Sequence, residues 1–159
     1  MAATYSDQDI DALLREGKRL PEDFRVRLQM RQKRGHKERE LEVDGTGGNR
    51  FRIVLRQSDH NALDFSVILA VLPSNTKQQF RLRRYNGKHE HTNLIEGVRF
   101  YGFHIHMATE RYQESGTRED AYAEPTERYS DLHGALSCML EDCGFEAPET
   151  RQQTLFEEV

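Results

Sequence analysis

From Phe24 to Met107 apolar residues return at every second position in run after run, and this period of two constrains the fold more than any other feature. Phe24, Val26, Leu28 and Met30 share one such face, as do Leu41 and Val43, and Phe51, Ile53 and Leu55. Phe80 and Leu82 follow, then Tyr101, Phe103, Ile105 and Met107. Side chains at i and i+2 on a strand point to the same side, so each run predicts a strand with one buried face. "DFSVILAVLP" is apolar at nearly every position and is expected to be the central strand, covered on both sides. Turns are expected at "QKRGHK" and "GTGG". The second is no phosphate loop, since it lacks a Gly-Lys-Ser/Thr ending and has strands on both sides. Arg25, Arg27 and Arg31 beside Glu40, Glu42 and Asp44 predict a hairpin laced by opposite charges.

Helical signals lie only at the ends. Ser6 followed by Asp9 reads as a capping box, with Ile10, Leu13 and Leu14 as the apolar stripe and Gly17 as the stop. Ser130 reads as the N-cap of a second helix, with Leu132, Leu136, Met139, Leu140 and Cys143 on its stripe and Gly144 at its end. The long polar stretch "ESGTREDAYAEPTER" before it reads as a loop. The predicted fold is a single α+β domain over residues 1–145. It has a curved antiparallel sheet of five to six strands in meander order, a short N-terminal helix and a C-terminal helix packed on the sheet. Residues 146–159 are expected to be a polar tail, in which Leu155 and Phe156 suit a docking peptide.

With 31% charged and 36% hydrophobic residues, the 159-residue chain has a globular composition. No run approaches the roughly 18 apolar residues of a membrane span, and the N-terminus lacks the basic and apolar regions of a signal peptide. Cys138 and Cys143 are five apart on one helix and point to different sides, so a reducing cytoplasm is the expected location. The net charge of −4 conceals a division. Between Phe24 and His91 there are 15 Lys/Arg against 7 Asp/Glu, which leaves 8 against 20 elsewhere. A basic centre of this kind suits a polyanion, and cross-strand ion pairing explains part of it.

Four of the seven histidines fall in two His-x-His pairs, His89/His91 in "YNGKHEHTN" and His104/His106 in "GFHIHMATERYQ". His104 and His106 project together from the face opposite Ile105, and Gly102 leaves room beside them. The first pair is expected in a loop, whose connection lets the two segments lie antiparallel so that four rings converge. Three readings follow. In the first, the imidazoles of His89, His91, His104 and His106 are acid–base groups for metal-independent cleavage of RNA, with Tyr85 as a stacking group or proton donor. Arg81, Arg83, Arg84, Lys88 and Arg111 then contact phosphate, Tyr112 offers a second stacking surface, and no cofactor is needed. A small sheet with a basic face and flanking helices loosely resembles the compact ribonuclease toxins of bacterial toxin–antitoxin systems. That resemblance is of architecture and composition, with no motif matched, and it implies an endoribonuclease of bacterial type.

In the second reading the same four histidines hold zinc or another first-row transition metal. His89-x-His91 followed by Glu96 partly resembles the first motif of the cupins, but the Gly-rich lead-in and the second motif are absent. In the third, the rings are structural and the chain is an interaction module, such as one half of a toxin–antitoxin pair, with its acidic ends facing a basic protein partner. A repeated Thr-Glu-Arg-Tyr, at Thr109–Tyr112 and Thr126–Tyr129, predicts pairing of Glu110 with Arg128 or of Arg111 with Glu127 across the polar loop. His36 and His60 read as solvated turn residues and His133 as a core-rim histidine. Neither cysteine has a basic neighbour that would make it a nucleophile.

Overall fold

The computed structural model describes residues 4–148, so Leu155, Phe156 and the rest of the expected tail beyond Pro148 lie outside the described residues. In chain order the elements are α1 (Asp7–Arg15), β1 (Lys18–Arg19), α2 (Phe24–Arg27), β2 (Arg31–Gln32), β3 (His36–Asp44), β4 (Arg50–Ser58) and β5 (Phe65–Leu72). Next come β6 (Phe80–Asn93), β7 (Val98–Met107), α3 (Glu110–Glu114), β8 (Tyr122–Pro125), α4 (Leu132–Asp142) and β9 (Phe145–Glu146). Strands β2 to β8 form one antiparallel sheet in chain order, and β1 and β9 make a separate parallel pair. This is the α+β meander that the alternation predicts. β5 lies fourth of the seven strands, with α4 packed across it and β6. Leu132, Leu136, Met139 and Leu140 of α4 are buried there against Val67, Leu69 and Leu82. Ser6 caps α1 with a reciprocal capping box, as expected.

Besides α3, a turn of helix capped by Thr109 where no helix is expected, and the N-cap of α4, which is Asp131 rather than Ser130, three segments depart from the sequence reading. Phe24–Arg27 is a helical turn rather than a strand, because Phe24 and Leu28 are also spaced i, i+4 and can be buried from one helical face. Val26, which a strand would have buried with them, is exposed. Two carboxylates of β3 instead pair with β4: Glu42 is opposite Arg52, Asp44 is opposite Arg50, and both form ion pairs, while Arg31 of β2 lies opposite Glu38. Cross-strand pairing thus neutralises part of the basic centre. The polar stretch after α3 supplies the seventh strand, β8, paired to β7 from His104 to Met107. The first histidine pair lies on β6 itself, which runs on through Asn93, and not in a loop.

One buried cation ties the ends of the chain together. Lys18 is fully buried, and its ammonium donates to the carbonyls of Leu13, Leu14, Glu16 and Cys143 at 2.8, 3.2, 2.8 and 2.7 Å. These are the unpaired C-terminal carbonyls of α1 and α4, where the helix dipoles favour a positive charge. Burial pulls the ammonium down to about 8, opposed by Cys143 and Glu16.

Candidate metal centre

The hairpin β6–β7 carries all four paired histidines, and two irregularities bring them together. Asn86 pairs with His104, but the next register partners are His89 and Gly102. Gly87 and Lys88 therefore both stand opposite Phe103, so β6 holds one extra residue there. The bulge reverses the parity of everything beyond it. Without it, His89 and His91 would share a face with Tyr85, beneath α4. With it, they join Asn86, His104 and His106 on the other face. Gly87 is required at this point, because an added Cβ would lie 1.9 Å from the Leu63 carbonyl oxygen, which accepts the Lys88 N–H.

The second irregularity is a sharp bend. Phe100 and His104 would be about 13 Å apart along a straight strand, yet their ring centroids are 5.6 Å apart. Gly102, between them, has φ +129°, which a side chain would strain. The outer half of the hairpin folds back over the inner half, and its tip reaches β8. There the Asn93 side chain both donates to the Ala123 carbonyl (2.7 Å) and accepts the Ala123 N–H (2.9 Å). Ala123 itself is opposite His106. Two buried tyrosines pin the bent hairpin. The hydroxyl of Tyr112 donates to Glu96 and accepts the Ile95 N–H near the tip. That of Tyr129 meets the carbonyls of Asn86 and His104 beside the bulge. These are the last residues of the two Thr-Glu-Arg-Tyr copies. The expected pairing across the loop is replaced: Arg111 pairs with Glu96 and Arg128 with Asp142.

Inside the bend His91, His104 and His106 each bring one ring nitrogen within 4.8 Å of the other two. The His91 ring centroid is 5.4 Å from that of His104 and 4.7 Å from that of His106. His89 stands against the other side of His104, with centroids 4.7 Å apart. His104 and His106 are buried, whereas His89 and His91 are partly exposed and mark the side open to solvent.

Hydrogen bonds fix which nitrogen of each ring carries the proton and which keeps a lone pair. The Nδ1–H of His104 donates to the Gly102 carbonyl (2.8 Å) and that of His106 to the Asp120 carbonyl (2.7 Å), leaving both Nε2 atoms with a free lone pair. His91 is set differently. Because Ala123 fixes both ends of the Asn93 amide, its Oδ1 is what meets His91 Nε2 at 2.8 Å, so Nε2 carries the proton and Nδ1 keeps the lone pair. A carbonyl-type oxygen behind each imidazole is the usual support of a metal-ligating histidine. Among the described residues His104 Nε2 and His89 Nδ1 are buried with no hydrogen-bond partner. A buried polar atom left in that state carries a penalty of about 1–3 kcal/mol. Burial pushes His104 down to about 4 and His106 down to about 2, with nearby histidines and Arg84 adding to it, so both rings are neutral at neutral pH. Burial likewise lowers His89.

The other residues singled out from the sequence divide between the two faces. Arg84 lies opposite His106, and its Nε donates to Asp120 at 3.1 Å. Arg81 is on the same side, beside Glu119 and Asp120. Lys88 is exposed over the Tyr101 ring. Arg83 and Tyr85 point the other way, toward α4, where Arg83 meets the Tyr85 hydroxyl and that hydroxyl donates to Asp142. Tyr112 is fully buried. Asn93, Asp120 and Ala123, which orient the imidazoles, carried no signal in the sequence, because their part in the site depends on the bend. No described helix is long and apolar enough to cross a membrane. The chain matches no family model, no curated protein and no solved structure.

Proposed function

We propose that the chain binds a divalent first-row transition metal, such as zinc, through His91 Nδ1, His104 Nε2 and His106 Nε2. One observation carries this reading: each of the three rings gives one N–H to a fixed oxygen, which leaves its other nitrogen free to ligate, and the three rings bring ligand nitrogens within 4.8 Å of one another. Zinc–nitrogen bonds are about 2.0–2.1 Å long, so each ring would move inward by roughly an ångström or less. Three protein nitrogens leave a fourth coordination position for water or a substrate, which is the arrangement of catalytic rather than structural zinc. A bound metal would also satisfy the orphaned His104 Nε2.

Metal-free cleavage of RNA uses the same rings, and the proximity of Arg84 favours it. Burial weighs against it, since a ring held neutral well below pH 6 is a poor proton donor near neutrality. Metal analysis of untagged, chelator-treated protein titrated with zinc separates the two. One equivalent bound, with a higher melting temperature, is expected, and the His104→Ala/His106→Ala double variant should show neither. RNA cleavage that persists in chelator and disappears in the double variant would overturn the metal reading.

A further inference from the structure

From the excess of hydrogen-bond donors around the triad, we propose that the fourth coordination position takes a tetrahedral oxyanion of the phosphate class, held by Arg84 and Asn86. This inference rests on the metal reading and adds the chemistry of the ligand. Three neutral imidazoles leave the full charge of the cation uncompensated, and no carboxylate belongs to the set. Arg84 stands across the strand pair from His106 and uses only Nε on Asp120. Among the described residues neither of its terminal nitrogens has a hydrogen-bond partner, so the guanidinium keeps donors free on the face that carries the triad. Asn86 is opposite His104 on the same face and is almost fully buried. Its Oδ1 accepts from Ser66, which leaves Nδ2 as a buried donor with no partner.

The surrounding charges agree. Arg81, Arg84 and Arg118 gather around Asp120, and among the described residues Glu119 is the second carboxylate paired there, so one positive charge is left over on this side, while Asp64 acts on His89. A metal cation, a guanidinium fork and an amide N–H₂ are all acceptor-seeking. A neutral or cationic ligand would leave these donors unpaired, whereas a phosphate-type group supplies negative oxygens to each. His89, partly exposed beside His104, stands next to the triad. The same oxyanion could arrive as free phosphate or as the diester of a ribonucleotide chain.

Cobalt-loaded full-length protein provides the test, because the visible absorption of cobalt(II) reports its coordination directly. Inorganic phosphate and, separately, a short oligoribonucleotide are titrated against it. A saturable spectral change is expected with at least one of them, and the arm that responds at lower concentration identifies the source. Arg84→Gln should bind cobalt with unchanged stoichiometry and weaken the anion by about tenfold or more, and Arg84→Lys should restore little of it. Full cobalt loading with no response to either anion, or an undiminished response in Arg84→Gln, overturns this inference and leaves the metal reading standing. Failure to take up cobalt overturns both.

Discussion

Asn93 shows how much of the site depends on one side chain that binds nothing itself. Its amide does the work of a backbone pair, closing the hairpin tip onto Ala123, and the same oxygen sets the tautomer of His91. Asn93→Ala removes both effects together. The expected result is a folded protein whose zinc affinity, measured by competition with a chromophoric chelator, falls roughly 10–100-fold, the usual cost of removing a group that supports a ligand. Asn93→Asp should retain part of that affinity, because a carboxylate still accepts from both His91 and Ala123 but cannot donate to the Ala123 carbonyl. Affinities unchanged in both variants would mean that the orientation of His91 does not matter. The identity of the histidines was legible from the sequence, since the i, i+2 rule places His104 and His106 side by side. Their supporting oxygens were not, because Gly102, Asn93 and Asp120 are polar or small residues whose contacts arise only from tertiary folding.

At the scale of the element, the bent hairpin is governed by a count of one. The extra residue at Gly87–Lys88 decides on which face the first histidine pair falls. Deleting Lys88 removes the bulge and returns His89 and His91 to the parity of Tyr85. The expected product has a near-native far-ultraviolet circular dichroism spectrum but binds no zinc at concentrations that saturate the parent. Stoichiometric zinc in the deletion variant would show that the bulge is not what gathers the rings. The alternation rule read most of β3 to β5 correctly, because it counts residues along a regular strand, and it placed β7 as a strand, but Tyr101, expected on the buried face, is exposed and His104 and His106 opposite are buried. It failed where the count is broken: past Gly87 it gave a loop, and at Phe24–Leu28 it could not distinguish a period of two from i, i+4. β8 was missed because an edge strand of four residues with one buried side chain, Ala123, has too little apolar pattern to register.

Over the whole molecule, the centre makes stability depend on pH. In the metal-free protein His104 and His106 take up protons only at about 4 and about 2, against 6.5 for an ordinary histidine. As the pH falls through 6.5 the unfolded chain gains protons that the native state does not. The contribution of these rings is therefore complete above pH 6.5 and is lost progressively as the pH falls, toward about 4 for His104 and about 2 for His106. The urea midpoint of chelator-treated protein should fall between neutrality and about pH 5, and His106→Gln should flatten that slope. An equal slope in the variant would place the titrating groups elsewhere. At this scale the sequence was informative about class and layer order, since strands flanked by terminal helices admit few packings. It did not show that Lys18 joins the ends of α1 and α4, because nothing in a lone lysine announces that carbonyls from two distant segments will surround it.

The bend at Gly102 has a kinetic consequence. Because the hairpin doubles back on itself, all three donor nitrogens come from residues 91–106, one short arc of chain. Closing so small a loop around an ion takes little entropy from the unfolded chain. An ion captured early would stitch that arc before the distant strands arrive, and refolding of the meander would begin from its seventh-strand side.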